Sequence, residues 1–201
     1  MDAAESFGRG CGSMRPSLGL SLLVAGIAAS ACAQQQPADA VPPLPAGAPA
    51  EWGVEAGYGF SVHLNGGRSA EHLLLLEPSV GLRLGSRFQY VIEAHFAHYL
   101  TPHGYMIGVM PLGARYLFGK GRTLPYLSIG AGLGWTDLVQ LEEIDRRFNF
   151  LLQASAGVRR AVTETQAFTF EARLSHISNG GTELPNLGLN CLVFLAGFRF
   201  R

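Results

Sequence analysis

Apolar and polar residues alternate along this chain from residue 51 to its end, in one segment after another, and no stretch keeps a helical period. In residues 168–175, for example, the even positions hold phenylalanine, alanine and leucine, and the odd positions hold threonine, glutamate, arginine and serine. A period of two is typical of a β-strand that has one apolar face. The eight predicted strands are 52–64, 73–84, 88–100, 105–118, 125–135, 148–162, 166–177 and 189–200.

The length and even number of these strands indicate how their apolar faces are buried. Strands that cross a membrane in a barrel need about 9 to 11 residues, whereas strands of globular proteins are usually nearer 5 or 6. The last strand is amphipathic and has an aromatic penultimate residue, which is common in outer-membrane proteins. We therefore predict an all-β fold, an eight-stranded antiparallel transmembrane β-barrel. A soluble β-sandwich is the alternative architecture.

Two further features of the barrel domain allow predictions, a polar segment and a set of aromatic residues. The segment 137–147 is polar and is predicted to be a longer, solvated loop. Aromatic residues are expected either to form girdles at the membrane interfaces or to pack in the core; they are Trp52, Tyr58, Tyr99, Tyr105 and Trp135.

The N-terminal segment has the pattern of a secretory signal peptide. A basic residue, Arg15, precedes an apolar run at 18–29 and the small-x-small sequence at 31–33. We predict a signal peptide at 1–33, a disordered leader rich in Pro, Ala and Gln at 34–50, and the barrel domain at 51–201. A buried helix or short anchor, and lipidation of Cys32, are alternatives. Translation starts at either Met1 or Met14.

Composition excludes several classes of function. The chain has 15 basic and 15 acidic residues, so there is no basic face for nucleic acid. Removal of residues 1–33 would leave Cys191 as the only cysteine, which rules out an intramolecular disulfide and a cysteine-rich metal site. We expect no metal and no cofactor.

Three polar residues are predicted to meet on the outward, apolar face near one rim. By strand parity, His176 and Ser178 continue the apolar face of segment 166–177, and Asn190 lies on the apolar face of the last strand. A serine hydroxyl needs a base to become a nucleophile. Histidine suits this task because its unperturbed pKa, roughly 6.5, lies near neutral pH.

The neighbours of this pair suit the same chemistry. A base also needs a third group that fixes its tautomer, and the side-chain oxygen of Asn190 offers one. The turn Asn179-Gly180-Gly181 is expected to present backbone N–H groups to a developing oxyanion. The competing interpretation is a set of rim residues that bond to loops or to lipid headgroups.

The segment from Phe170 to Gly181, with Pro185, Asn186 and Gly188 after it, resembles the C-terminal signature of the PagL family. This resemblance implies an eight-stranded barrel in the outer membrane of a Gram-negative bacterium, with lipid A 3-O-deacylase activity. The family's histidine and serine map onto His176 and Ser178. Its asparagine and glycine, linked to the oxyanion site, map onto Asn179 and Gly181. The family's active site lies on the outer surface near the rim, in agreement with the parity above.

One position departs from the family pattern. The resemblance places a glutamate where this chain has Asn190, and a neutral amide orients an imidazole without stabilising its positive charge. Of the acids nearby in sequence, Glu171 has the wrong parity and Glu183 requires a folded-back loop.

We therefore expect a serine esterase that removes an ester-linked hydroxyacyl chain, at the 3-O position, from the lipid A of lipopolysaccharide. Its expected partners are lipid A and outer-membrane lipid, and a homodimer is left open. The alternative is a non-catalytic outer-membrane barrel with a structural or lipid-binding role. A small porin-like channel is disfavoured because eight strands leave an interior that side chains fill.

Overall fold

The structure is a computed structural model that describes residues 50–64, 70–141, 143–144, 146–182, 184 and 186–201. The predicted signal peptide at 1–33 and all of the predicted leader except Ala50 lie outside the described residues. The strands are β1 (Glu51–Ser61), β2 (His72–Arg83), β3 (Phe88–Thr101), β4 (His103–Leu117), β5 (Thr123–Thr136), β6 (Phe148–Ala161), β7 (Gln166–Ser178) and β8 (Leu189–Phe200). The boundaries agree with the predicted ones to within a few residues, the largest difference being that β1 ends at Ser61.

The eight strands form a closed antiparallel barrel in which each strand pairs with its sequence neighbours and β8 pairs with β1. Closure leaves no unpaired sheet edge, which a bilayer would not tolerate. The predicted barrel is thus confirmed, and the soluble sandwich is wrong. Within the described residues, no helix is long and apolar enough to cross a membrane.

The barrel has two different ends. We call the end with connections 84–87, 118–122 and 162–165 the short-turn end, and it also holds Ala50 and Arg201. The other end carries the connections 62–71, 137–147 and 179–188, and we call it the long-loop end. The C-terminal end of β7 and the start of β8 therefore both lie at the long-loop end.

The outward face of the barrel is apolar, as period-two alternation requires. Large side chains such as Leu112, Phe170 and Phe194 are more than half exposed on it. A continuous apolar surface of this kind is suited to lipid. Of the aromatic residues with two alternatives, Trp52, Tyr58, Tyr105 and Trp135 are exposed on this face, as girdle residues would be, whereas Tyr99 is 1% exposed and packs in the core. Tyr99 belongs to an inward-facing position of β3.

The interior is charged in the half that lies towards the short-turn end. Arg173 contacts Glu77 and Glu171, with its Nη2 2.7 Å from Glu171 Oε1. Arg199 lies 3.0 Å from Glu55. Buried charges are tolerated when they are paired in this way, because each partner replaces part of the hydration that the other has lost.

The interior is apolar in the half that lies towards the long-loop end. Its side chains come from six strands and from the connection 137–147; among them are Leu73, Tyr99, Met106, Leu138, Leu141, Ile144, Leu151, Ile177, Leu189 and Val193. The connection 137–147 was predicted to be solvated, yet Leu138 and Ile144 are almost fully buried and Glu143 is only 7% exposed. This part of the prediction is wrong because the connection packs into the mouth of the barrel. Side chains of the described residues thus occupy both halves of the interior, as expected for eight strands.

Candidate active site

His176 and Asn190 are joined across the β7–β8 ladder. They are direct register partners, and His176 Nδ1 lies 2.8 Å from Asn190 Oδ1. An amide oxygen only accepts hydrogen bonds, so Nδ1 carries the proton and donates it to Asn190. In the neutral imidazole, this leaves the lone pair on Nε2. The ring is thereby set in the tautomer that a general base needs.

Ser178 occupies the next outward position of β7, two residues beyond His176, and its register partner on β6 is Phe150. It is 9% exposed, because it lies where β7 enters the loop 179–188. Among the described residues, no hydrogen bond joins Ser178 Oγ to His176. Catalytic hydrogen bonds are often long without substrate and tighten when it binds. The serine and the base therefore share one face and one rim, as strand parity predicts.

The loop 179–188 packs back on the outer surface of the barrel beside these two residues. A Cβ atom placed on Gly188 would lie 2.6 Å from His176 Cε1 and 3.2 Å from Nε2. A Cβ atom placed on Gly180 would lie 2.7 Å from the ring of Phe150. Both glycines have a positive φ of 70°, a backbone conformation that residues with a side chain rarely adopt. Gly188 thus allows the backbone to approach the imidazole closely.

We expect Gly188→Ala to lower kcat about 100-fold while the barrel still folds. The added methyl group would push the imidazole aside, and a displacement of about 1 Å at a catalytic group has a cost of that size. The measurement is ester hydrolysis by refolded protein. Gly85→Ala is the matched control, because a Cβ atom at Gly85 meets nothing within 4 Å. Equal activity of the two variants would contradict the assigned role of Gly188.

The residues predicted to bind an oxyanion lie in the turn after Ser178, but their backbone groups are engaged within the loop. Gly181 N–H donates to Asn179 Oδ1 at 2.8 Å, and Asn179 N–H donates to Asn186 Oδ1 at 3.2 Å. These bonds fix the shape of the turn. Sequence reasoning assigned no role to Asn186, although it lies within the stretch that carries the family resemblance.

Glu71 and Glu143, from distant parts of the chain, line a small cavity together with Asn190. A cavity of about 10 Å³ at the long-loop end is lined by Ser61, Val62, His63, Leu64, Glu71, Glu143, Gly188, Leu189 and Asn190. Glu71 is 1% exposed, and neither of its carboxylate oxygens has a hydrogen-bond partner among the described residues. Glu171 faces the interior and contacts Arg173, whereas Glu183 lies outside the described residues. No signal in the sequence pointed to Glu71.

The described part of the chain contains no group of three or more His, Cys, Asp or Glu side chains that could hold a metal ion. The outer rim brings together a hydroxyl, an imidazole and a side-chain amide, from Ser178, His176 and Asn190. Such an arrangement is suited to acyl transfer.

The family model for lipid A 3-O-deacylase (PagL) matches residues 85–199, which is more than half of the 201-residue chain. The chain belongs to the PagL family. The match covers β3 to β7 and β8 up to Arg199, and it includes His176, Ser178 and Asn190 and the loop that joins β7 to β8. Family membership also identifies the barrel as an outer-membrane protein.

Two solved structures show how widely this fold is shared. The crystal structure of the outer-membrane enzyme PagL matches with a TM-score of 0.56 and 16% identity, covering 73% of this chain and 97% of that one. The crystal structure of Neisserial surface protein A matches with a TM-score of 0.58 and 14% identity, covering 75% of this chain and 96% of that one. At these identities the likeness concerns the fold. No curated protein has significant sequence similarity to this chain.

Proposed function

We propose that this PagL-family protein is an outer-membrane serine esterase that removes the 3-O-linked hydroxyacyl chain from lipid A. The observation that carries the proposal is the hydrogen bond from His176 Nδ1 to Asn190 Oδ1, which orients a base that shares the outward face of β7 with Ser178. This geometry is placed at the lipid-facing rim, where an acylated glycolipid lies beside the barrel.

The reaction proceeds in two halves. His176 Nε2 takes the proton from Ser178 Oγ, which attacks the carbonyl carbon of the ester and forms a tetrahedral oxyanion. Collapse of this intermediate breaks the bond to the sugar oxygen, which receives the proton from His176. Water, activated by the same imidazole, then attacks the acyl-serine, releases the hydroxy fatty acid and restores Ser178.

We assign the oxyanion to the turn that follows Ser178. Asn179 and Gly181 are held there by the loop, and binding of the oxyanion exchanges the internal bond of Gly181 N–H for one to the substrate oxygen. Asn186 keeps the turn in place through its bond to Asn179 N–H.

The orientation of the barrel agrees with this substrate. In outer-membrane barrels the longer loops face the outside of the cell and the short turns face the periplasm. The site at the long-loop end then lies at the outer leaflet.

The test is mass spectrometry of lipid A incubated with refolded protein in detergent micelles. Loss of the mass of one hydroxyacyl chain, at the 3-O position as located by fragmentation, supports the proposal. Ser178→Ala protein prepared in the same way is the control for contaminating esterases. No mass loss from a barrel that is folded by gel mobility would reject it, and loss from another position would reject the 3-O assignment alone.

The second candidate is a non-catalytic barrel with a structural or lipid-binding role, and Asn190 is the observation that favours it. An amide orients His176, but it carries no negative charge to stabilise the imidazolium that forms during the reaction. We expect Asn190→Glu to raise kcat at least about ten-fold, since an amide in place of the acid cost about 10⁴ in a serine protease. Asn190→Leu should lower kcat by a similar factor or more.

Steady-state ester hydrolysis by the two variants measures this effect. A rise with glutamate and a fall with leucine agree with Asn190 as the group that orients the base. If both variants match the wild type, Asn190 has no part in the reaction.

A further inference from the structure

Glu71 is a buried carboxylate that has no partner for its charge among the described residues. It is 1% exposed, and neither carboxylate oxygen takes part in a hydrogen bond there. Ser61 fixes its backbone, since Ser61 Oγ accepts from Glu71 N–H at 3.1 Å and Ser61 N–H donates to Glu71 O at 2.9 Å. Buried carboxylates are tolerated when they are paired or bind a metal ion. The charge of Glu71 therefore calls for a partner from outside the chain.

A second buried carboxylate, Glu143, lines the same small cavity as Glu71. It is 7% exposed and belongs to the connection 137–147, whereas Glu71 ends the connection 62–71. Of the other described residues that line the cavity, only His63 can carry a positive charge, and it is exposed to solvent. Two negative charges that border one space away from bulk water repel each other. A cation between them removes this repulsion and supplies the partner that Glu71 lacks.

The size of the cavity restricts which cation fits. Its volume is about 10 Å³, and about 10 to 15 Å³ is the space that a single water molecule needs. The cavity therefore accepts one ion that has lost most of its water shell. Magnesium loses its water reluctantly, whereas calcium accepts bidentate carboxylates and carbonyl oxygens in a flexible geometry. Oxygen donors and a small dry space thus favour calcium.

We propose that Glu71 and Glu143 bind one calcium ion, which ties the connection 62–71 to the connection 137–147 at the mouth of the barrel. Each carboxylate contributes up to two oxygens, and backbone carbonyl groups, hydroxyls and water complete calcium sites in proteins. Gly188 also lines the cavity, so the ion stabilises the loop 179–188 as well. The ion has no part in the reaction assigned to Ser178, and the proposal does not depend on that reaction.

The first experiment is isothermal titration calorimetry of refolded protein in micelles of a zwitterionic detergent, after removal of metal ions with EGTA. We expect calcium chloride to give one bound ion per chain, and magnesium chloride to bind at least about ten-fold more weakly, because the site leaves magnesium too few waters. Glu71→Gln and Glu143→Gln should each abolish calcium binding. Both variants keep the shape of the side chain and remove a repelling charge, so the barrel should fold, as judged by the gel mobility of unboiled protein.

Glu164→Gln is the matched control for these titrations. Glu164 is exposed in the connection 162–165 at the opposite end of the barrel, and its variant should bind calcium as the wild type does. The proposal is overturned if the wild type binds no calcium, or if Glu71→Gln binds it as tightly as the wild type. Equal affinity for magnesium and calcium would overturn the choice of ion.

The second experiment tests whether the ion holds the connection 137–147 in place. Trypsin cleaves after Arg147, which is exposed at the end of this connection, once the connection opens. Calcium at about 100 times its Kd lowers the population of a state that does not bind it up to about 100-fold, so we expect cleavage at Arg147 to slow at least about ten-fold. Cleavage in Glu71→Gln should not respond to calcium.

Cleavage at Lys120 is the internal reference, because Lys120 is exposed in the connection 118–122 at the short-turn end. Its rate reports any effect of calcium on trypsin itself and should be the same with and without the ion. If calcium binds but cleavage at Arg147 does not slow relative to Lys120, the ion does not join the two connections and the proposal is wrong.

Discussion

Ser178→Ala should reduce lipid A deacylation at least about 10³-fold while the barrel folds as the wild type does. In a serine protease the loss of the nucleophile alone cost about 10⁶ in kcat, and binding with oxyanion stabilisation accounted for the remaining rate. Ser178 occupies an outward position beside His176, so its hydroxyl contributes nothing to the charged interior. The measurement is the initial rate of hydroxyacyl release, followed by mass spectrometry.

Ser175→Ala provides the comparison for this experiment. Ser175 lies on the same strand but faces the interior, where it is 6% exposed. Its loss should leave the rate within a factor of two, an estimate based on the small effects of substitutions away from the reacting groups. If the rate of Ser178→Ala equals that of Ser175→Ala, the nucleophile is a residue other than Ser178.

Arg173→Met should destabilise the folded barrel by about 3 to 5 kcal/mol, the cost of leaving buried charges without their partner. Arg173 is 1% exposed and donates from Nε to Glu171 at 2.7 Å. It also contacts Glu77, and it lies 3.9 Å from Glu93. Its removal therefore leaves three carboxylates short of positive charge inside the barrel.

Urea titration in micelles, read by the mobility of unboiled protein on a gel, measures this loss. Arg160→Met serves as the reference because Arg160 is exposed and lies outside the interior network. A midpoint for Arg173→Met equal to that of Arg160→Met would show that the ion pairs contribute little to stability.

The fold and the positions of the main site residues follow from local sequence. Alternation with a period of two fixes which side of a strand each residue faces. For this reason His176, Ser178 and Asn190 were correctly placed together on the outward rim.

The features that the sequence did not predict depend on contacts between distant segments. The connection 137–147 is polar in composition, but its Leu138 and Ile144 pack against apolar side chains from several strands at the mouth of the barrel. Aromatic content alone left open whether Tyr99 faces the lipid or the core, because it does not tell the inward side from the outward side. Glu71 lines a cavity with Asn190 only because β1 closes onto β8, and the close approach of Gly188 to His176 depends on how a loop folds back.

The outward placement of His176 and Ser178 has a kinetic consequence. A group on the lipid-facing wall meets its reactants by lateral diffusion, in a two-dimensional solution whose concentration unit is the mole fraction of the leaflet. The reaction rate then depends on the mole fraction of substrate in the leaflet and not on the total amount of substrate in the suspension. If inert lipid is added at constant bulk substrate, encounters become rarer, and if substrate clusters in patches around the barrel, they become more frequent. The composition of the surrounding leaflet would thus regulate such an enzyme without any change in the protein itself.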